Sequence, residues 1–381
     1  MSQTISSKNR LSEFEKTDFF APQPYQKVMR VYAKDKNGSL RAQITSYHPN
    51  GQIKQYLEAV DQRALGTYCE WYANGQKKVH AYVISGIADL NSQAETSWLF
   101  DGYTYAWDDE GHFIAKIPYA LGELEGEALY YHPNGNLWKQ LSHSKGVLHG
   151  LSSIYLEDGT AFQTTNYEHG EKHGICYRYW SPDQLAYEEH YNQGRLEEGC
   201  YLSAQGNLLA EVKNGEGTRA VFSKTSLAEL QHYKNGWQEG LVKMLDAKGN
   251  IACSYHLKNT LKHGEELGYY PGTQQPKIQL TWNMGVLQGS IKTWYEDGVL
   301  ESQREMSQNQ KNGLLTAWYR NSSLMLVEDY ENDKLIKGEY YRMAEHVPVS
   351  KVENGKGLAT LFSADGTFAK KVHYSEGRPV E

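Results

Sequence analysis

The sequence predicts an all-β protein, an elongated array of about 14 antiparallel β-hairpin repeats with a period of about 24 residues. An aromatic residue followed four positions later by a turn glycine recurs along the chain, and a second glycine closes each unit. Glycine (35 residues) and tyrosine (29) are plentiful while proline (10) is scarce. This composition is typical of short strands joined by tight turns.

The closing glycines define the period. They recur mostly at intervals of about 24 residues, a regularity that indicates a repeat array growing along one axis. They are Gly126, Gly150, Gly174, Gly199, Gly217, Gly240, Gly264, Gly289, Gly313, Gly338 and Gly357.

The turn between the two strands of a hairpin has the form Pro-Asn-Gly at 133–135. This form predicts a three-residue loop with glycine in the left-handed bulge position, and a two-residue Asn-Gly turn is the competing assignment. With the turn glycine as position zero, a three-residue loop pairs position −4 with position +2, so that two apolar columns meet on one face. The predicted ladder at position −4 comprises Tyr47, Trp71, Trp107, Tyr131, Tyr155, Tyr179, Trp294, Trp318 and Phe362.

Two further positions extend this pattern. Period-2 alternation predicts that position +8, which holds Tyr119, Tyr167 and Tyr374, lies on the same face as the ladder. Position −3 is more mixed, with His48, Tyr72, Asp108, His132 and Ser363, and we expect it to face solvent.

Irregular units suggest a division of the array. Residues 67–102 form a unit longer than the period, and the excess is predicted at 83–102 as a longer loop or an extra hairpin. Residues 200–217 and 339–357 form short units that resemble each other. Such units are expected to kink the array or divide it into lobes. We therefore predict an N-terminal polar segment at 1–31, a first lobe at 32–217 and a second lobe at 218–381, with one continuous array as the alternative.

The polar segment 1–31 has two interpretations. It contains Leu11, Phe14, Phe19 and Phe20, and a repeat array needs a cap on its first exposed sheet edge. Its opening residues, rich in Ser, Gln and Thr, are the basis of the second interpretation, an export signal for a contact-dependent secretion system.

Charge and cysteine content exclude several function classes. A net charge of −7 argues against a nucleic-acid or anionic-membrane binder, since both favour clustered Lys and Arg. Cys69, Cys176, Cys200 and Cys253 form no zinc motif, and we expect reduced thiols in a cytoplasmic protein. No apolar run resembles a signal peptide or a transmembrane helix.

No stretch of the sequence predicts an active site. His149, His173 and His263 share one column, but units two strands apart place such residues about 9–10 Å apart, too far for one zinc ion. Carboxylates such as Glu123, Glu125, Glu197 and Glu198 occur as turn and rim residues of many units and not as one catalytic pair. We predict no catalytic, cofactor or metal site; an enzyme with a dispersed site is a third-ranked interpretation.

Aromatic residues are the remaining candidates for binding. The regular ladder can serve structure alone or structure together with a binding surface, because stacked Trp and Tyr bind sugars, cations and peptide segments. Trp98, Trp237 and Trp282 lie outside the ladder. They are therefore the candidates for partner binding, and we predict that at least one of the three contacts a protein partner.

Several segments resemble a known repeat family. Tyr131-His132-Pro133-Asn134-Gly135, Trp294-Tyr295-Glu296-Asp297-Gly298 and Lys172-His173-Gly174 resemble the MORN-type repeat, and in particular the variant found in bacterial YwqK-like antitoxins. The resemblance covers roughly residues 44–381 and implies strings of β-hairpins with roles in protein interaction. Phospholipid contact is implied for some members of the family.

The leading interpretation is a bacterial, cytoplasmic, non-enzymatic scaffold that mediates protein–protein interaction and is antitoxin-like. A carbohydrate- or lipid-headgroup-binding repeat protein and a secreted effector are the alternatives. We expect a protein partner, no nucleic acid and no transmembrane segment, and we do not favour peripheral lipid contact.

Overall fold

A computed structural model describes residues 27–380, which contain 34 strands and one four-residue helix. The all-β hairpin array is therefore confirmed. The predicted N-terminal segment lies outside the described residues up to position 26. The chain packs as two compact units, Met1–Gly194 and Arg195–Glu381, which are described in turn. The predicted lobes 32–217 and 218–381 stay a prediction.

Unit 1 is built from antiparallel hairpins in chain order, interrupted once by a short helix. Its elements are β1 (Lys27–Lys34), β2 (Leu40–Tyr47), β3 (Ile53–Val60), β4 (Arg63–Trp71), β5 (Lys77–Ser85), α1 (Ser92–Glu95), β6 (Leu99–Phe100), β7 (Gly102–Trp107), β8 (Phe113–Ala120), β9 (Glu123–Leu124), β10 (Gly126–Tyr131), β11 (Leu137–Ser144), β12 (Val147–Leu148), β13 (Gly150–Tyr155), β14 (Ala161–Glu168), β15 (Glu171–Ser181) and β16 (Gln184–Asn192).

Unit 2 continues the same plan. Its strands are β17 (Arg195–Leu202), β18 (Leu208–Lys213), β19 (Glu216–Phe222), β20 (Leu227–Lys234), β21 (Trp237–Leu245), β22 (Ile251–Lys258), β23 (Leu261–Tyr269), β24 (Pro276–Asn283), β25 (Val286–Leu287), β26 (Gly289–Trp294), β27 (Leu300–Ser307), β28 (Gln310–Trp318), β29 (Leu324–Glu331), β30 (Lys334–Tyr340), β31 (Ser350–Glu353), β32 (Lys356–Phe362), β33 (Phe368–Ser375) and β34 (Arg378–Val380).

The three-residue hairpin loop is confirmed at the regular turns. At the turn after β10, the His132 N–H donates to the Asn136 carbonyl (2.8 Å) and the Gly135 N–H donates to the His132 carbonyl (2.9 Å). Gly135 has φ +85°, the left-handed conformation that glycine adopts without steric cost. Tyr131 pairs with Leu137, which is the predicted pairing of position −4 with position +2.

The same pairing recurs at every predicted ladder position. The cross-strand pairs are Tyr47 with Ile53, Trp71 with Lys77, Trp107 with Phe113, Tyr131 with Leu137, Tyr155 with Ala161, Tyr179 with Leu185, Trp294 with Leu300, Trp318 with Leu324, and Phe362 with Phe368.

The predicted face of position +8 is wrong. A β-bulge follows each turn, so the register shifts by one residue between Trp107 and Ala106, which pair with Phe113 and Ala115. One extra residue exchanges the two faces of the remaining strand. Tyr119 therefore pairs with the closing Gly102, on the face opposite Trp107, where its ring lies 5.5 Å from that of Phe100.

The face without the ladder carries the hydrophobic core of unit 1. Buried residues from four strands, such as Ile44 and Leu57, form one cluster with Leu90 and Trp98 from the segment between β5 and β7. We call this face the core face and the ladder-bearing face the open face. The excess residues predicted at 83–102 thus form a loop with the helical turn α1 that covers the core face, and no extra hairpin.

Hydrogen bonds connect successive turns around the short units of unit 2. The Gly236 N–H donates to the Gly215 carbonyl (2.9 Å), and the Leu196 N–H donates to the Gly236 carbonyl (3.1 Å), so three successive turns meet. Leu335, Gly355 and Gly377 repeat this arrangement. The short units of unit 2 thus bring successive turns together, and a kink of the array at these units stays a prediction.

Position −3 is not consistently solvent-facing: His48, Tyr72, Asp108, His132 and Ser363 are half-buried, and the tyrosines at this position in two later repeats are buried. Tyr295 is 5% exposed and Tyr319 is fully buried, since this position belongs to the core face. The Tyr319 hydroxyl donates to the Tyr341 carbonyl (2.7 Å) in the next hairpin. His48, Tyr72 and His132 likewise bond to the next repeat, whereas Asp108 and Ser363 bond within their own turns.

Candidate functional site

The aromatic ladder lies on the open face, and its side chains are half-buried. All nine predicted ladder residues have intermediate exposure in the structure. At some ladder positions the residue two places earlier on the same face is small and buried, as are Cys69 before Trp71 and Ser153 before Tyr155. Part of each ring remains accessible, so the ladder combines a packing role with an accessible aromatic surface.

A continuous aromatic cluster forms the centre of the open face in unit 1. The Tyr103 ring lies 6.3 Å from that of Tyr105, and Phe113 lies 5.7 Å from Trp107 and 5.1 Å from Tyr131. Tyr103 is 49% exposed. The rings are tilted against each other, an arrangement that stabilises aromatic pairs beyond the area they bury.

Lysine side chains lie against this cluster. The Lys116 Nζ is 4.0 Å from the Tyr103 ring centroid, and the Lys77 Nζ is 5.7 Å from that of Trp107. Cation–π attraction holds both ammonium groups near the rings. The cluster is therefore a surface of aromatic rings with positive charge at its border.

Hydrogen bonds between successive turns hold the repeats in register. The His132 Nε2 lies 3.1 Å from the Tyr155 carbonyl oxygen of the next hairpin, and the Asn134 amide donates to the Glu157 carbonyl (2.7 Å). In unit 2, the Tyr295 hydroxyl donates in the same way to the Trp318 carbonyl (2.8 Å). The ladder residues are thus presented on a preorganised frame.

The three tryptophans predicted to contact a partner have different environments. Trp98 is 7% exposed, packs 4.8 Å from the Tyr68 ring, and donates its indole N–H to the Ile87 carbonyl. Trp282 lies on β24 and is half-buried. Trp237, at the start of β21, is 55% exposed and is the one of the three that is widely accessible.

Trp282 belongs to a charged cluster on the core face. Glu266 accepts hydrogen bonds from the Trp282 indole (2.7 Å) and from the Lys262 ammonium (2.7 Å). The same ammonium lies 4.6 Å from the Tyr255 ring centroid and 5.2 Å from that of Trp282. The Trp282 side chain is therefore held in place by contacts within the protein.

Related clusters recur where a lysine stands two residues before the closing glycine. Lys172 lies 4.6 Å from the Tyr191 ring and Lys311 lies 4.5 Å from the Tyr330 ring. Glu328 accepts from the hydroxyls of Tyr330 (2.9 Å) and Tyr340 (2.7 Å). Burial, together with this carboxylate, raises the pKa of both tyrosines. The signal in the sequence is Lys-x-Gly paired with an aromatic at position +8, which our reading of the sequence missed.

Cys69 and His80 form a close pair on the open face, with Sγ and Nδ1 3.2 Å apart. Burial raises the pKa of the Cys69 thiol and lowers the pKa of His80. Both shifts favour the neutral forms, whereas a catalytic cysteine needs its thiolate. The pair therefore has the character of a structural contact.

The predicted histidine column lies at turns. His149 Nδ1 accepts from the His169 backbone N–H (3.4 Å), and His173 Nδ1 accepts from that of Gln193 (3.4 Å). Among residues 27–380, no group of three or more His, Cys, Asp or Glu side chains is placed to hold a metal ion. Within the same residues, no helix has the length and apolar character needed to cross a membrane.

The family described as the MORN repeat variant matches residues 124–145. No curated protein matches this chain. One similar solved structure is TcdB2-TccC3 without its hypervariable C-terminal region, with 11% identity, 92% of this chain covered and a TM-score of 0.15; this chain spans 23% of that chain.

A second similar structure is a porin-like protein from Bacteroides uniformis, with 8% identity, 64% of this chain and 94% of that chain covered, and a TM-score of 0.16. TM-scores this low carry no structural argument. The match at residues 124–145, which spans β10 and β11 with their turn, supports a MORN-type repeat in this chain.

Proposed function

We propose that this protein is a non-enzymatic repeat scaffold whose open face binds a protein partner. Antitoxin-like capture of one target protein is the specific form suggested by the resemblance to YwqK-like repeats. We place the protein in the bacterial cytoplasm. Its four cysteines are free, as expected in a reducing compartment.

The aromatic cluster of the open face is the observation that carries this proposal. Tyr103, Tyr105, Trp107, Phe113 and Tyr131 lie together on the face opposite the hydrophobic core. Accessible Tyr and Trp side chains are the residues most enriched among those that dominate protein–protein binding energies. A packing role alone does not require so many partly exposed rings on one face.

Two features suit this face to recognition. The hydrogen bonds between turns fix the spacing of the repeats, and a preorganised surface loses little conformational entropy on binding. Lys77 and Lys116 place positive charge beside the rings. We therefore expect the partner to present apolar side chains flanked by acidic residues.

The test is affinity capture from a lysate of the source organism, followed by titration of the recovered protein against variants. Tyr103→Ala is expected to weaken binding by more than ~1 kcal/mol while leaving the melting temperature nearly unchanged. Trp237→Ala tests the exposed tryptophan of unit 2 in the same way. Val347→Ser, at a 74% exposed position that is not part of the cluster, is the control.

The proposal for the open face is refuted if Tyr103→Ala binds the partner as well as wild type does, while Val347→Ser loses binding. The partner would then bind outside the open-face cluster. If a defined sugar or lipid headgroup binds in a manner that depends on Tyr103, and no protein is recovered, the ligand-binding alternative replaces protein recognition. Lysine contacts with ring faces, as at Lys116, are compatible with either class of ligand.

A further inference from the structure

Three successive turns of unit 2 place apolar side chains along one edge of the open face. The two strands joined by each turn end in a pair of directly opposite residues, Lys234 with Trp237, Lys258 with Leu261, and Asn283 with Val286. Opposite residues share a face of the sheet, and strand alternation puts these pairs on the side away from Tyr255 and Trp282 of the core face. We call these six residues the turn rim.

The apolar side chains of the turn rim are accessible. Trp237 is 55% exposed and Leu261 is 44% exposed, while Val286 is half-buried. The indole N–H groups of Trp98 and Trp282 donate hydrogen bonds inside the protein, whereas that of Trp237 donates none within residues 27–380. A widely exposed tryptophan with a free donor, in line with other apolar side chains, is typical of a recognition surface.

Contacts between the turns hold the rim residues at a fixed spacing. The Gly285 N–H donates to the Lys262 carbonyl (2.8 Å), and the Leu261 side chain lies beside Gly285. Equivalent residues of successive hairpins are separated by two strands, which corresponds to about 9.6 Å. The turn rim is therefore a line of evenly spaced apolar anchor points.

A polar groove continues the turn rim beyond Leu261. Its volume is about 480 Å³, and it is lined by Asn283, Val286, Gln288, Gln308 and Asn309. Gln288 accepts a hydrogen bond from the Gln308 N–H (3.2 Å), and Asn309 accepts one from the Leu287 N–H (2.9 Å), both through the amide oxygen. The NH2 groups of these two amides donate no hydrogen bond within residues 27–380, so they are available to the carbonyl groups of a ligand.

We infer that the turn rim binds a proline-rich protein segment in the polyproline II conformation. Such a segment has three residues per turn and rises ~3.1 Å per residue, so its equivalent side chains recur every ~9.3 Å. Apolar side chains at every third position then meet Trp237, Leu261 and Val286 in turn. An α-helix presents the same face every seven residues, or ~10.5 Å, and a β-strand every two residues, or ~6.7 Å, so both match the rim less well.

The polar groups of the turn rim suit the same occupant. A polyproline II backbone makes no internal hydrogen bonds, so its carbonyl groups are free to accept from the Trp237 indole and from the amides of Gln288 and Asn309. The exposed Lys234 and Lys258 favour acidic residues between the apolar ones. This docking role rests on the proposed function of the open face in protein recognition, and it gives the class of segment that unit 2 binds.

The test is a titration of a fluorescently labelled peptide, four copies of Leu-Pro-Glu in sequence, with the full chain and its variants. Fluorescence anisotropy should show saturable binding with a Kd on the order of 10–100 μM. Trp237→Ala should weaken binding at least ~10-fold and Leu261→Ser at least ~3-fold. Leu208→Ser, at a 57% exposed position outside the turn rim, is the control and should bind as wild type does.

An exchange of charges keeps the test independent of folding. The same peptide with Lys in place of Glu should bind wild type at least ~10-fold more weakly, and Lys234→Glu combined with Lys258→Glu should reverse this preference. Equal binding by wild type and Trp237→Ala overturns the inference, as does tighter binding of a helical peptide with leucine at every seventh position. Self-association of the chain that Trp237→Ala abolishes also overturns it, since a second copy would then occupy the rim.

Two results separate this docking role from the proposed function. If the Leu-Pro-Glu peptide does not bind at ~1 mM while capture of a protein still depends on Tyr103, the docking segment is wrong and the open face remains a recognition surface. If the peptide binds the turn rim and no captured protein depends on Tyr103, the turn rim is the recognition surface and the proposed role of the aromatic cluster in unit 1 fails.

Discussion

The buried carboxylate of Glu328 offers a direct test of how the core face of unit 2 is stabilised. Glu328 is 7% exposed and accepts hydrogen bonds from the hydroxyls of Tyr330 and Tyr340. Tyr340→Phe removes the 2.7 Å hydrogen bond and little else, because the ring stays in place. A hydrogen bond to a charged group contributes about 1.5–3 kcal/mol, and we expect a loss of stability in that range.

The measurement is amide hydrogen exchange of β29 and β30, followed by mass spectrometry. This readout gives the opening free energy of the region itself, which a global melt of two compact units would average. Tyr269→Phe, at the open-face end of β23, is the matched control and should change the exchange of β29 and β30 little. A double-mutant cycle of Tyr340→Phe with Glu328→Gln should give a coupling energy of about 1 kcal/mol or more.

A change of less than about 0.5 kcal/mol for Tyr340→Phe, or additive effects in the cycle, would refute this reasoning. The tyrosines would then be held by packing, and the hydrogen bonds to Glu328 would contribute nothing measurable.

Three further outcomes are expected. Gly135→Val should cost about 1–2 kcal/mol in a urea melt and Gly135→Asn less, because asparagine tolerates φ +85°; equal costs would exclude backbone strain as the cause. Gly217→Ala should destabilise far more than Gly206→Ala, since its Cβ would overlap the Glu211 carbonyl oxygen while Gly206 faces open space; thermal melts of the pair decide this. Burial raises the pKa of Tyr319 to about 12, so the tyrosine loses its proton at lower pH in the unfolded chain than in the folded one. Stability should therefore fall as pH rises from 10 to 12. Thermal melts across that range should show a smaller decline for Tyr319→Phe.

The parts of the fold set by neighbouring residues could be predicted from the sequence. The turn at 133–135 and the pairing of Tyr131 with Leu137 follow from Pro-Asn-Gly chemistry and side-chain alternation. The face on which Tyr119 lies could not be predicted in this way. The bulge after the turn adds one residue to the strand, and no residue type in the sequence indicates it. One extra residue was enough to reverse the side of the sheet on which this column lies.

The positions of the ladder residues could be predicted from the sequence, but the surroundings of the other candidate residues could not. The ladder residues are where the pattern placed them, but Trp98, which lies outside the ladder, belongs to the segment containing α1 and is packed into the core of unit 1. Its burial depends on how that segment folds back onto β2–β5, a contact between residues far apart in sequence. The contacts of Lys172 and Lys311 with the rings opposite the closing glycines were not predicted, because they depend on the register between strands.

The strictly sequential pairing of strands has a consequence for folding kinetics. Most strands bond to partners a few residues away across a turn, as β10 does with β11, so the loop-closure entropy of each step is small. All-β proteins usually fold slowly because their contacts are distant in sequence, and this chain should fold faster than most of them.

The converging turns of unit 2 are an exception to this locality. The hydrogen bond from Leu196 to Gly236 closes 40 residues, so it should form late, after the intervening hairpins. Substitutions at those turns, such as Gly215→Ala, whose Cβ would meet the Gly236 backbone, should then act mainly by speeding unfolding and leave the folding rate nearly unchanged. The converging turns would thus determine the unfolding rate of unit 2, while the regular hairpins determine its folding rate.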